Sequence, residues 1–196
     1  MAKIQFGIIL PADQLDKARR SSYVENVNRL LNMVKGHYDS AWFIDHVMFN
    51  DEDQMEGWTA LTYFAALHPE LQWGHTVLCQ SFRNPALVAK MGATLQLLSG
   101  GQFILGMGAG WHEPEYRAYG YDFPSAGTRV EELDETLTII KALWTQEQAT
   151  FAGKHYRVEN AYCEPKPDPV PPIMVGAFKP KMFRLTAKHA AWWNVS

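Results

Sequence analysis

The chain has 196 residues, 47% hydrophobic and 20% charged, which is enough for one core and too few for two comfortable domains. Its 18 basic and 21 acidic residues leave a formal net charge of −3 and form no basic stripe able to neutralise a phosphate backbone, so no nucleic-acid partner is expected. There is no run of roughly 20 apolar residues to span a membrane, and MAKIQFGIIL lacks a small-residue cleavage site. Cys79 and Cys163 have no C-x-x-C spacing, so a cytoplasmic protein with reduced thiols and no metal site is expected.

In chain order, strand-like and helix-like segments alternate. Ile4 to Leu10 is a nearly continuous apolar run, predicted to be a parallel strand buried on both faces. From Ser22, residues Val24, Val27, Leu30, Leu31 and Val34 share a helical face, and Gly36 stands where a terminating glycine belongs. A second strand is predicted at Ala41 to Ile44, a buried helix from Trp58 to Leu67, and a third strand at Gly74 to Leu78. Asn84-Pro85 reads as a cap with proline at the first helical position, leading Leu87, Val88, Met91, Leu95 and Leu98 onto one face. Gly100-Gly101 ends that helix and Phe103 to Leu105 is a fourth strand. Thr128-x-x-Glu131 reads as a capping box for a helix whose apolar face is Val130, Leu133, Leu137, Ile140 and Trp144, with Glu131, Glu132, Asp134, Glu135 and Lys141 facing water. An excursion over 149–172 contains five prolines and a hairpin-like segment, Phe151 to Tyr156. It is followed by a strand at Ile173 to Val175, a helix at Pro180 to Ala190, and a sixth strand beginning at Trp192.

This alternation implies a parallel sheet with right-handed crossovers, either closed as a (β/α)8 barrel or open and doubly wound. A dinucleotide fold would place G-x-G-x-x-G after the first strand, where the chain has Leu10-Pro11-Ala12-Asp13. In a barrel, function gathers at the C-terminal strand ends. Asp45-His46 lies at such an end, where a histidine can move a proton; the alternative is a turn that merely caps the strand. Gly106-Met107-Gly108-Ala109-Gly110 removes side chains from a strand end so that a flat ring can approach the backbone, or so that strand and helix can pack closely. Trp111, Tyr116, Tyr119 and Tyr121 are candidates to wall a substrate pocket; the alternative is that they are packing aromatics of the loop. His112, Glu113 and Glu115 lack metal-ligand spacing, and the two glutamates are read as surface charge.

Together, Asp45-His46, Phe82-Arg83-Asn84-Pro85-Ala86, Leu98-Ser99-Gly100-Gly101 and Leu105 to Tyr116 resemble the bacterial-luciferase-like family of flavin-dependent oxidoreductases, more narrowly its deazaflavin-using branch. The resemblance implies an α/β fold of the (β/α)8 TIM-barrel type in one domain, residues 1–196. About six strand-helix units are present, the last strands are lacking, and 149–172 is an insertion between the fourth helix and the fifth strand. It implies His46 as the catalytic residue, Asp45, Thr76, Val77, Gly106, Gly108, Gly110 and Gly176 as cofactor-binding residues, and Trp111 and Tyr116 as the substrate pocket. A non-prolyl cis peptide is expected near Thr76-Val77-Leu78.

The implied cofactor is a reduced deazaflavin coenzyme or FMN, and the implied partners are a small-molecule substrate and a second copy of the chain paired through the second and third helices. Two departures from the family pattern stand out. Trp111 occupies a place where some dehydrogenases of the branch carry a glutamate acid. Val175-Gly176-Ala177-Phe178-Lys179-Pro180 replaces a glycine-rich phosphate loop, with Lys179 and Lys181 as substitute charge. The expected function is oxidoreductase or monooxygenase chemistry, with a non-catalytic flavin binder or an inactive truncated relic as the alternative. The absent seventh and eighth strands imply a fragment of a longer protein or a wall supplied by association.

Overall fold

The computed structural model describes residues 4–12 and 17–195; Asp13 lies outside them. Its elements are β1 (Gly7–Ile9), α1 (Tyr23–Val34), β2 (Ser40–Phe43), α2 (Gly57–Leu67), β3 (Gln72–His75), β4 (Leu78–Cys79), α3 (Pro85–Leu98), β5 (Phe103–Gly108) and α4 (Glu113–Ala118). They continue with α5 (Ala126–Thr145), the hairpin β6 (Ala149–Ala152) and β7 (Arg157–Ala161), then β8 (Ile173–Gly176), α6 (Pro180–His189) and β9 (Trp192–Asn194). All pairings in the main sheet are parallel. Their order is β1-β2-β3-β5-β8-β9, with β4 also on β5. A doubly wound sheet reverses its strand order partway; this one does not, so right-handed crossovers put the helices on one side and the sheet curls as a barrel wall. The choice that periodicity left open falls to an incomplete (β/α)8 fold.

Side chains alternate across the pleat. On the helix side, Phe43, Trp73, Phe103, Leu105, Met107, Ile173 and Val175 join Leu61, Phe64, Val88, Leu137 and Ile140 in the main core. On the concave side a small separate cluster holds Trp42, Ile104, Met174 and Val77. Trp42 spreads over two glycines: a Cβ on Gly7 would stand 2.5 Å from its Nε1, and one on Gly74 would stand 2.4 Å from its Cζ3. Its indole N–H donates to Ser40 Oγ at 2.8 Å, and Trp192 leans on it at 6.4 Å between ring centroids. This layer floors the mouth of the sheet.

Three local expectations change. The first strand is not buried on both faces: Ile4, Phe6 and Ile9 are exposed, because β1 pairs with β2 alone. The α5 cap is Ser125, whose Oγ accepts from Thr128 N at 3.1 Å, so the helix starts two residues before Thr128. Much of the acidic face of α5 meets protein instead of water. Glu135 accepts from the backbone N–H groups of Lys154, His155 and Tyr156 at 2.7–2.9 Å, clamping the β6–β7 turn, and Asp134 pairs with Lys188 and His189 of α6. The Asn84 cap stands as read, accepting from Ala86 N and Leu87 N. Both cysteines are free and buried. Among the described residues no helix is long and apolar enough to cross a membrane.

Candidate active site

A cavity of about 910 Å³ opens at the C-terminal ends of the strands. Asp45 and His46 reach it from β2, Thr76 and Val77 from the link between β3 and β4, Gly108 to Trp111 from β5, Gly176 from β8 and Asn194 from β9; the starts of α5 and α6 close it. The Thr76–Val77 peptide is cis. Val77 sits between two glycines, since a Cβ on Gly108 would stand 2.5 Å from its Cγ2 and one on Gly176 would stand 3.3 Å from both its methyl carbons.

Asp45 and His46 are neighbours in sequence with different commitments. The buried Asp45 carboxylate accepts a bidentate pair from Arg83, 2.9 Å at each oxygen, and the Cys79 N–H at 2.9 Å. Arg83 also binds Glu56, which caps α2 by accepting from Trp58 N and Thr59 N. Burial alone would lower the Arg83 pKa, but the two carboxylates outweigh it and raise it, so the guanidinium stays charged. Asp45 therefore braces the ends of β2, β4 and α2. His46, by contrast, turns Nδ1 to Glu115 Oε1 at 2.9 Å, while Glu115 Oε2 accepts from Val47 N at 3.0 Å and Met48 N at 3.4 Å. Its ring meets Phe49, Trp111 and His112 at centroid distances of 5.3–5.9 Å.

Four candidate site residues fall elsewhere. Gly106 lies one layer below the mouth, where a Cβ would stand 1.9 Å from the His75 carbonyl oxygen and 2.9 Å from Met174 Cε. It permits close packing and does not line the cavity. Tyr116 is fully buried behind the wall, its hydroxyl 3.0 Å from both Cys79 Sγ and Ser81 Oγ. Burial raises the Tyr116 pKa and pushes the Cys79 thiol up to about 11, so neither ionises near neutrality. Tyr119 is exposed and Tyr121 packs on Phe82, both away from the cavity. Trp111 stands at the rim, 65% exposed. Glu115, read from sequence as surface charge, is buried against His46. Its partner lies 69 residues away, and no local pattern reports a contact at that range.

The profile described as luciferase-like monooxygenase matches residues 4–196. The chain belongs to this family. This luciferase-like chain is 33% identical over 157 residues to an F420-dependent glucose-6-phosphate dehydrogenase of Amycolatopsis mediterranei, covering 78% of the chain and 46% of the relative. It is 32% identical over 119 residues to the pyrimidine monooxygenase RutA of Stutzerimonas stutzeri, covering 59% of the chain and 32% of that protein. Its fold overlays that of an F420-dependent secondary alcohol dehydrogenase solved with an F420–acetone adduct, with a TM-score of 0.86 and 24% identity, covering 99% of this chain and 58% of that one. The luciferase-like chain thus spans about half the length of the proteins it matches, or less.

Proposed function

We propose that this chain is a flavin- or deazaflavin-dependent oxidoreductase that holds a reduced deazaflavin coenzyme or FMN at the mouth of its half-barrel and acts on a small molecule. The observation that carries the reading is the His46–Glu115 pair on the rim of a cavity floored by Val77, which packs between Gly108 and Gly176. The residues fit such a group. A cavity of about 910 Å³ is of the size that holds cofactors, and its apolar floor at Val77 suits a flat ring. For an anionic tail, Lys179, Lys181 and Arg129 line the side where α5 and α6 begin, and no side chain caps the first turn of α6.

When bound, a flavin or deazaflavin supplies hydride transfer or oxygen activation. The protein's own residues do the rest. Asp45, fixed by Arg83, holds the end of β2 so that His46 stays at the rim. His46, with Nδ1 committed to Glu115, has Nε2 left to exchange a proton with substrate. Phe49, Trp111 and His112 pack around the His46 ring. The test is turnover of deazaflavin, and of FMN with oxygen, against panels of alcohols and carbonyls. His46→Gln is expected to lower kcat by about 100-fold or more, whereas equal turnover by both proteins contradicts the reading.

The altered loop after β8, with Phe178 exposed, favours a second reading as a flavin binder without turnover; tight binding of both cofactors with no reaction under any condition would favour it. Pairing of two copies is part of the proposal. Exposed Tyr63 and Leu67 on α2 and Leu87, Leu97 and Leu98 on α3 are apolar surface of the kind an interface covers, and sedimentation of the purified chain tests it, a stable monomer being the contrary result.

A further inference from the structure

The Asp45-His46 dipeptide reads as a working pair, yet in space each residue answers to a different partner. Asp45 is saturated by Arg83 and the Cys79 amide. The carboxylate that addresses the histidine comes from α4. Glu115 has a side-chain exposure of only 3%, and both of its oxygens are committed, one to His46 Nδ1 and the other to two consecutive backbone amides of the β2 loop. The amide pair fixes the carboxylate plane and the carboxylate fixes the ring.

We infer that Glu115 is the positioning residue of His46, holding the imidazole with its proton on Nδ1 so that Nε2 is presented to the substrate as the proton-exchanging atom. A carboxylate has no proton to donate, so the 2.9 Å contact requires the hydrogen on Nδ1 and leaves Nε2 with a lone pair in the neutral ring. Phe49, Trp111 and His112 pack around the ring at centroid distances of 5.3–5.9 Å. The inference rests on the proposed proton-handling role of His46, and it adds the group that sets the tautomer. A glutamate that merely stapled α4 to the β2 loop would need only the two amide contacts.

Glu115→Gln separates the roles. Its carbonyl oxygen still accepts from Val47 N, which turns the amide NH2 toward Nδ1 and forces the ring proton to Nε2. In the cofactor-free chain labelled with ¹⁵N-histidine, long-range proton–nitrogen spectra at about pH 8, above the ordinary histidine pKa, are expected to show His46 protonated at Nδ1, with its signals assigned by their loss in His46→Gln. Glu115→Gln is expected to show it protonated at Nε2. Turnover should fall about 100-fold in kcat with cofactor affinity within about threefold, and Glu115→Asp should recover at least about tenfold of the loss. An Nε2-protonated His46 in the unaltered chain, or the same tautomer in both proteins, overturns the inference whatever the turnover. A tautomer switch in a chain with no turnover upholds the positioning role while removing the proposed function.

Discussion

At Gly108 and Gly110 two missing side chains two residues apart serve different neighbours. A methyl on Gly108 would meet Val77 Cγ2 at 2.5 Å, a branched side chain that has Gly176 on its other flank and little room to retreat. Gly108→Ala should therefore cost about 1–3 kcal/mol by overpacking. Gly110 carries two penalties, a φ of +73° and a Tyr116 hydroxyl 1.8 Å from the added Cβ, so Gly110→Ala should cost more, about 2–4 kcal/mol. Urea unfolding of both variants orders them, and a smaller loss at Gly110 contradicts the assignment. His75 gives a pH signature. It is wholly buried with its ring stacked on Trp58 at 5.4 Å, and burial, opposed in part by Asp45, lowers its pKa from 6.5 to about 4. The unfolded chain takes up a proton below pH 6.5 that the folded chain refuses until about pH 4, so this site's contribution is full above 6.5 and is lost as pH falls between those values. Relative to His75→Phe, the unaltered chain should lose about 2 kcal/mol of unfolding free energy between about pH 7 and pH 5; parallel pH curves would show that the ring is not held neutral. The strand-end position of Asp45-His46 and the glycines after β5 were legible because both are local patterns. Gly106 was misplaced because Gly106 and Gly108 share a face and differ only in depth, which period-two reading cannot resolve.

Among the elements, α5 and the β6–β7 hairpin form one unit through Glu135. Burial would raise the pKa of this carboxylate, but the three turn amides, together with the charge of His155, lower it, so the clamp is present at neutral pH and is released as pH falls through the carboxylate range. Glu135→Gln should cost about 1–2 kcal/mol and speed hydrogen exchange at Lys154, His155 and Tyr156 selectively. Uniform exchange would show that β-pairing alone holds the hairpin. The concave floor makes a second claim at this scale. Trp42→Ala removes the ring that fills the space over Gly7 and Gly74 and should cost about 3–5 kcal/mol, measured by the same unfolding. The extent of α5 was readable from its apolar repeat, whereas its start was not: Ser125 and Thr128 are both good caps three residues apart, and it is Ser125 whose Oγ takes the Thr128 amide. Glu131, Asp134 and Glu135 looked solvated because a helix's polar face does not reveal that a hairpin and α6 will dock on it.

For the whole molecule, strand order is the deciding property. Alternation in sequence allowed a closed or an open sheet, and only the unreversed order β1-β2-β3-β5-β8-β9 selects the barrel wall and gathers the ends of β2, β5, β8 and β9 with the β3–β4 link around one mouth. The apolar pattern also overstated burial at β1, since a strand with one partner reads the same as a strand with two. What the curled sheet assembles is a concave site to which β2, the β3–β4 link, β5, β8 and β9 each contribute. The most direct measurement of that claim is a fluorescence and absorbance titration of the purified chain with deazaflavin coenzyme and with FMN, beside Gly127→Leu, which adds a side chain at the cavity wall where a Cβ would meet nothing closer than 3.7 Å. The account predicts saturable binding of at least one of the two at about 100 µM or tighter and its weakening by about tenfold or more in Gly127→Leu while the fold is kept. No binding of either cofactor, or binding untouched by the leucine, would contradict it.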